Sequence, residues 1–186
     1  MMPGVQVPHV FTVEELVEHF VEAGGPTAEQ LGEALLRLDR NLGPGLLADL
    51  EAEGLLKANV AAAHVGSVWS MAEYPDRHLD RESWRALFSL AGYTVNGTPA
   101  GWPTEALTLY RGSVPDRRAD WSWTDKLEVA TRYATGGIGY RPTHGKVWQA
   151  EVEPHRLLAR NDDAAGRNES EYVVDTEDLV IIENCT

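Results

Sequence analysis

"NGTPAGWP", residues 96–103, separates two textures of sequence, and the fold class follows from what lies on either side. Its asparagine, glycines and prolines mark a turn-rich connector. Upstream, apolar residues recur at helical spacing; downstream they fall into short runs of strand length.

The upstream half reads as helices. In "FTVEELVEHFVEAGG", Thr12 and Glu15 form a capping box, Gly24 and Gly25 stop the helix, and Phe11, Val13, Leu16, Phe20 and Val21 share one face. "PTAEQLGEALLRLDRNLG" repeats the device with Thr27 and Gln30 and buries Leu31, Ala34, Leu35 and Leu38. "PGLLADLEAEGLLKANVAAAH" predicts a third helix, interrupted or ended near Gly54. "DRESWRALFSLAG" predicts a fourth from Asp80 to Gly92, with Trp84, Leu87, Phe88 and Ala91 as its apolar stripe.

Downstream, strand-like runs occur at "ALTLYRG" (106–112), "GKVWQAEVE" (145–153), "EYVV" (171–174) and "DLVIIE" (178–183). One helix lies among them, "DKLEVATRYAT", with Asp125 and Glu128 at its start and Val129, Ala130, Tyr133 and Ala134 inside. The expected fold is therefore α+β, a helical lobe over 1–98 followed by a strand-rich core over 99–186.

Composition limits the partners. Sixteen basic against 29 acidic residues give a net charge of -13, which argues against gripping a nucleic-acid backbone and makes a helix-turn-helix reader a minority reading of the lobe. Cys185 is the only cysteine, so neither an intramolecular disulfide nor a cysteine metal site is expected. The six histidines show no HExxH spacing, and no metal is expected. No secretion signal or membrane-spanning run is legible, so the expected location is the cytoplasm. Six tryptophans are read first as core anchors.

Three stretches downstream carry residues that chemistry uses. In "LTLYRG", Arg111 ends an apolar run before Gly112; its planar fork suits bidentate grip on a phosphate, or it is a surface arginine at a strand end. In "WSWTDKLEVATRYA", Ser122 and Thr124 would share one face of a strand, with Thr124 or Asp125 capping the helix that follows. In "RNESEYVV" (167–174), Glu169 and Glu171 stand two apart, so a strand there turns both carboxylates to one face. Such a pair is either solvated edge protection or half of a site whose repulsion a cation relieves.

Arg111 in "LYRG", then an aromatic-Ser-x-Thr stretch entering "EVATRYA", then Glu-x-Glu opening a strand, resembles the Arg–Ser–Glu class of mono-ADP-ribosyltransferases. The segment "GKVWQAEVEPHRLLARNDDAAGRNESEYVV" is similar to the strand–"LLA"–loop–glutamate layout of those domains. The likeness covers about residues 105–183 and implies a core of short strands in two packed sheets with NAD as co-substrate.

What the resemblance implies is residue by residue. Arg111, with Tyr110 and Gly112 beside it, would bind the NAD diphosphate. Ser122 would contact the nicotinamide ribose and steady the catalytic carboxylate, with Thr124 at the motif's third position, where many relatives have serine. Glu171 would be the catalytic residue. Glu169 would orient the nucleophile, a glutamate there going with arginine acceptors on a protein substrate. Tyr140 or Arg141 in "TGGIGYRPTHG" would touch NAD, or face solvent. The chemistry is coherent: cleaving nicotinamide from ribose builds an oxocarbenium-like charge that a fixed carboxylate stabilises. The same site with water as acceptor would be an NAD glycohydrolase, and the fold without turnover a binding module.

Overall fold

A computed structural model describes residues 12–136, 144–162 and 168–185. The chain divides into two compact units, Met1–Gly92 and Tyr93–Thr186. The division precedes the expected 98/99 boundary because residues 93–99 belong to the second unit's sheet.

The first unit is helical: α1 (Val13–Ala23), α2 (Ala28–Arg37), α3 (Gly43–Ala52), α4 (Ala58–Met71) and α5 (Arg81–Ala91). Thr27 and Gln30 make the full reciprocal capping box of α2. At α1 only half of the box forms: the Thr12 hydroxyl accepts from the Glu15 N–H but donates to the Glu15 carboxylate. The third helix ends near Gly54 as expected, where that residue adopts a left-handed φ of 68°, and the rest of the run to 64 opens α4. Leu16, Phe20, Leu31, Ala34, Trp84, Leu87 and Phe88 are buried as their spacing requires, whereas Val21 is exposed. Trp69 packs edge-on against Trp84 with ring centroids 4.9 Å apart. Phe11 lies outside the described residues.

The second unit is built on eight strands among the described residues: β1 (Thr94–Val95), β2 (Thr98–Pro99), β3 (Leu107–Ser113), β4 (Ser122–Thr124), β5 (Lys146–Val152), β6 (Leu157–Asn161), β7 (Glu171–Val174) and β8 (Ile182–Glu183). Helix α6 (Leu127–Thr135) follows β4. The strand order is β2-β1-β6-β7-β4-β3-β5-β8, and only the β1–β6 pairing is parallel, so the sheet is mixed. Asn96 and Gly97, both at positive φ, turn the expected connector into a two-residue hairpin between β1 and β2. The run at 178–183 yields only Ile182–Glu183 as strand, with Asp178 at a left-handed φ of 56°.

The two packed sheets expected from the resemblance are here one hydrogen-bonded sheet. The reason is a single register pair, Tyr110 with Thr124, which joins β3 to β4. Between β3 and β5, by contrast, pairing runs from Leu107–Val152 to Ser113–Lys146. The sheet is thus two half-sheets held at a narrow seam.

Its two faces differ. One carries Leu109, Trp123, Trp148, Ala150, Val152, Leu157, Tyr172 and Val174, with Tyr93, in a continuous buried cluster. The other receives α6 against β3, where Gly112 admits the helix. A Cβ on Gly112 would lie 1.9 Å from the Ala130 carbonyl oxygen and 2.6 Å from the Ala134 nitrogen. Five tryptophans are buried, and Trp102 is more than half exposed.

Candidate active site

The strands bearing the three motifs are neighbours. Arg111 lies on β3, Ser122 and Thr124 on β4, and Glu171 opens β7, with β4 between the other two. Register pairs place Tyr110, Thr124, Glu171 and Asn161 in one row across β3, β4, β7 and β6. Directly opposed residues share a face, with Cβ atoms roughly 4.5–5.5 Å apart. Thr124 and Glu171 are therefore immediate neighbours, and Ser122 lies on the same face of its strand two residues away.

Alternation turns Arg111 the other way, to the side of Leu109 and of Trp148, the residue opposite Arg111 on β5. Its guanidinium is engaged by protein: Nε donates to the Arg117 carbonyl at 2.9 Å and Nη1 to the Ser122 carbonyl at 2.6 Å. Nη2 donates to Asp120 Oδ2 at 2.8 Å, the same oxygen that takes Arg117 Nε at 2.7 Å. Arg111 thus ties β3 to the β4 backbone beside the seam. A diphosphate would have to compete with Asp120 for it.

The segment before β7 departs from the expected geometry. Glu169 does not extend the strand: Asn168 and Ser170 on either side have φ of 50° and 49°. Two left-handed residues break the pleat, so the i, i+2 argument does not place Glu169 beside Glu171. Such backbone costs of order 1–3 kcal/mol per residue and persists only where surrounding contacts hold it.

One is the Ser170 N–H, which donates to the Asp162 carbonyl at 3.2 Å; the others come from the β4–α6 segment. The Thr124 hydroxyl donates to the Glu169 carbonyl at 2.7 Å and accepts from the Lys126 N–H at 3.1 Å. Lys126 Nζ donates to both oxygens of Asn168 at 3.0 Å. The Tyr133 hydroxyl, from α6, donates to Glu169 Oε1 at 2.6 Å. Glu169 is 9% exposed, and the Ser170 hydroxyl is buried with no hydrogen-bond partner among the described residues.

The sequence-derived residues therefore separate. Ser122, Thr124, Glu171 and Tyr110 share the α6 side of the sheet; Glu169 is close by through Thr124 and Tyr133; Arg111 points to the opposite side. Gly112 is a packing glycine under α6, and no cofactor can approach where a single Cβ does not fit. Tyr140 and Arg141 lie outside the described residues. Tyr133 and Lys126 are not legible as site residues in the sequence, because their partners lie 36 and 42 positions away.

On the far side, burial pushes the phenols of Tyr93 and Tyr172 above their ordinary range, and the Arg160 guanidinium opposes this in both. Arg160 stands over the Tyr172 ring at 5.3 Å. Burial works to lower the Arg160 pKa, but Tyr172 and Asp162 outweigh it and raise it.

Among the described residues, no helix is long and apolar enough to cross a membrane, and no group of three or more His, Cys, Asp or Glu could hold a metal ion. Comparison with protein-family models, curated proteins and solved structures finds no match to this chain.

Proposed function

We propose that the second unit is an ADP-ribosyltransferase core that moves ADP-ribose from NAD onto a protein side chain, an arginine guanidinium. The observation that carries this reading is the adjacency of β3, β4 and β7. It gathers an arginine strand, a Ser-x-Thr strand and a glutamate strand at the point where the sheet is joined by one register pair.

In this reading Glu171 is the catalytic residue. At the first position of β7, opposed by Thr124 and Asn161, its backbone is fixed on both sides. Its carboxylate stabilises positive charge on the ribose as the bond from C1′ to the nicotinamide nitrogen breaks and nicotinamide leaves with the electron pair. The acceptor nitrogen supplies the pair for the new bond to C1′ and gives up a proton. Ser122 stands two residues along the same strand face, suited to the nicotinamide ribose. Arg111, on the opposite side of the sheet, supports this site by fixing the β4 backbone under Ser122.

One observation favours the second reading, NAD hydrolysis. Glu169 lies tucked against Tyr133 and nearly buried, so an acceptor guanidinium must reach a carboxylate that water reaches more easily.

The test is incubation of the full chain with adenylate-labelled NAD and a protein lysate. Label on protein supports transfer, and free ADP-ribose alone supports hydrolysis. Nicotinamide release that survives Glu171→Gln, or no release by the wild type, overturns the assignment.

A further inference from the structure

We infer that Tyr133 is the positioning residue for the acceptor: its phenol fixes the Glu169 carboxylate, and through it the alignment of an incoming guanidinium. This rests on the transferase reading of the site.

Four observations converge. Tyr133 donates a short 2.6 Å hydrogen bond to one carboxylate oxygen, Oε1. The backbone on either side of Glu169 is left-handed, at Asn168 and Ser170, a geometry that needs external support. Part of that support comes from the same β4–α6 segment, through Thr124 on the Glu169 carbonyl and Lys126 on Asn168. Finally, α6 is itself seated on Gly112 with no room to drift toward β3, so the phenol is presented from a fixed backbone.

A carboxylate oxygen has two lone pairs, so Oε1 can accept the phenol O–H and still accept an N–H of a guanidinium. The phenol selects one carboxylate rotamer before the acceptor arrives. Alignment of the attacking nitrogen with C1′ then comes from a preset geometry. Hydrolysis does not need this alignment, because water is small and abundant. Tyr133 therefore acts on partition between acceptors, and Glu171 acts on bond cleavage.

The experiment uses the full chain with NAD and agmatine as the guanidine probe. It reads nicotinamide release from NAD in the absence of agmatine, ADP-ribosyl-agmatine formation with agmatine present and, by calorimetry without NAD, agmatine binding. Tyr133→Phe keeps the ring and its Cβ, so the packing over Gly112 is retained. A hydrogen bond to a charged group is worth enough that ADP-ribosyl-agmatine should fall about tenfold or more, with agmatine affinity falling in step. Nicotinamide release should change by less than about threefold, and adding Tyr133→Phe to Glu169→Gln should have no further effect on transfer. Equal losses of transfer and release, or no loss of transfer, overturn the positioning role. So does agmatine affinity that is absent in the wild type or unchanged in Tyr133→Phe. A wild type that binds agmatine but releases no nicotinamide overturns the transferase reading alone, and the effect of Tyr133→Phe on agmatine binding still decides the role of Tyr133.

Discussion

Replacing Gly112 by alanine should loosen α6 from the sheet. The added Cβ would stand 1.9 Å from the Ala130 oxygen, 2.6 Å from the Ala134 nitrogen and 2.8 Å from the Tyr133 Cβ. Ordinary carbon–oxygen approach is about 3.3 Å, so the helix must retreat by roughly 1.4 Å along that contact. The first two atoms are backbone, so no rotamer change relieves the overlap. Overpacking of this kind costs about 1–3 kcal/mol, and the rigid partners put Gly112→Ala at the upper end, near 3 kcal/mol. Alanine recovers about 0.4–1 kcal/mol by restricting the unfolded chain, leaving a net loss of about 2 kcal/mol. For a unit of this size that lowers the melting temperature by roughly 10 °C. Thermal unfolding reads the magnitude, and amide exchange across 127–135 and 122–124 reads the location. Gly45→Ala is the control, since a Cβ added to that glycine meets nothing within 4 Å and the residue lies inside α3. A Gly112→Ala protein that melts with the wild type and keeps α6 protected would refute the packing argument.

Other perturbations test separate parts of the fold. Asp120→Ala leaves the Arg111 and Arg117 guanidiniums without their shared carboxylate oxygen and should cost about 2 kcal/mol in chemical denaturation, Asp120→Asn less. Thr27→Ala removes the α2 capping box and should cost about 1 kcal/mol, with faster amide exchange confined to the first turn of α2. The Tyr93 and Tyr172 phenols are raised above their ordinary 10.0 in the folded protein. Their contribution to stability is therefore full below that value and lost as pH rises through the window above it. Denaturation midpoints should fall across that alkaline range, and the double Phe variant should flatten the fall; an unchanged slope would count against buried phenols as the cause.

How far the sequence reveals this fold depends on the range of the forces at work. The helices of the first unit are legible because capping and 3.6-residue periodicity act within a few positions, as Thr27–Gln30 and Trp84–Leu87–Phe88 show. The β1–β2 hairpin reads as a connector because strands of two residues carry no periodicity, although Asn96-Gly97 holds the signal. Placing Glu169 beside Glu171 assumes a strand that runs through both. A serine gives no warning of a left-handed φ, and the backbone bond from the Ser170 N–H to the Asp162 carbonyl joins positions that periodicity does not connect. Gly112 reads as a cofactor approach point because a glycine's missing Cβ admits a helix and a ligand equally; only the folded chain shows which one arrives.

The seam between β3 and β4 bears on how anything enters this sheet. To part β3 from β5, a wedge must undo seven opposed positions, whereas at β3 and β4 it meets one. A crack already begun propagates under smaller load. The arginine lashing beside it then behaves as the stitch that holds the opening at the seam.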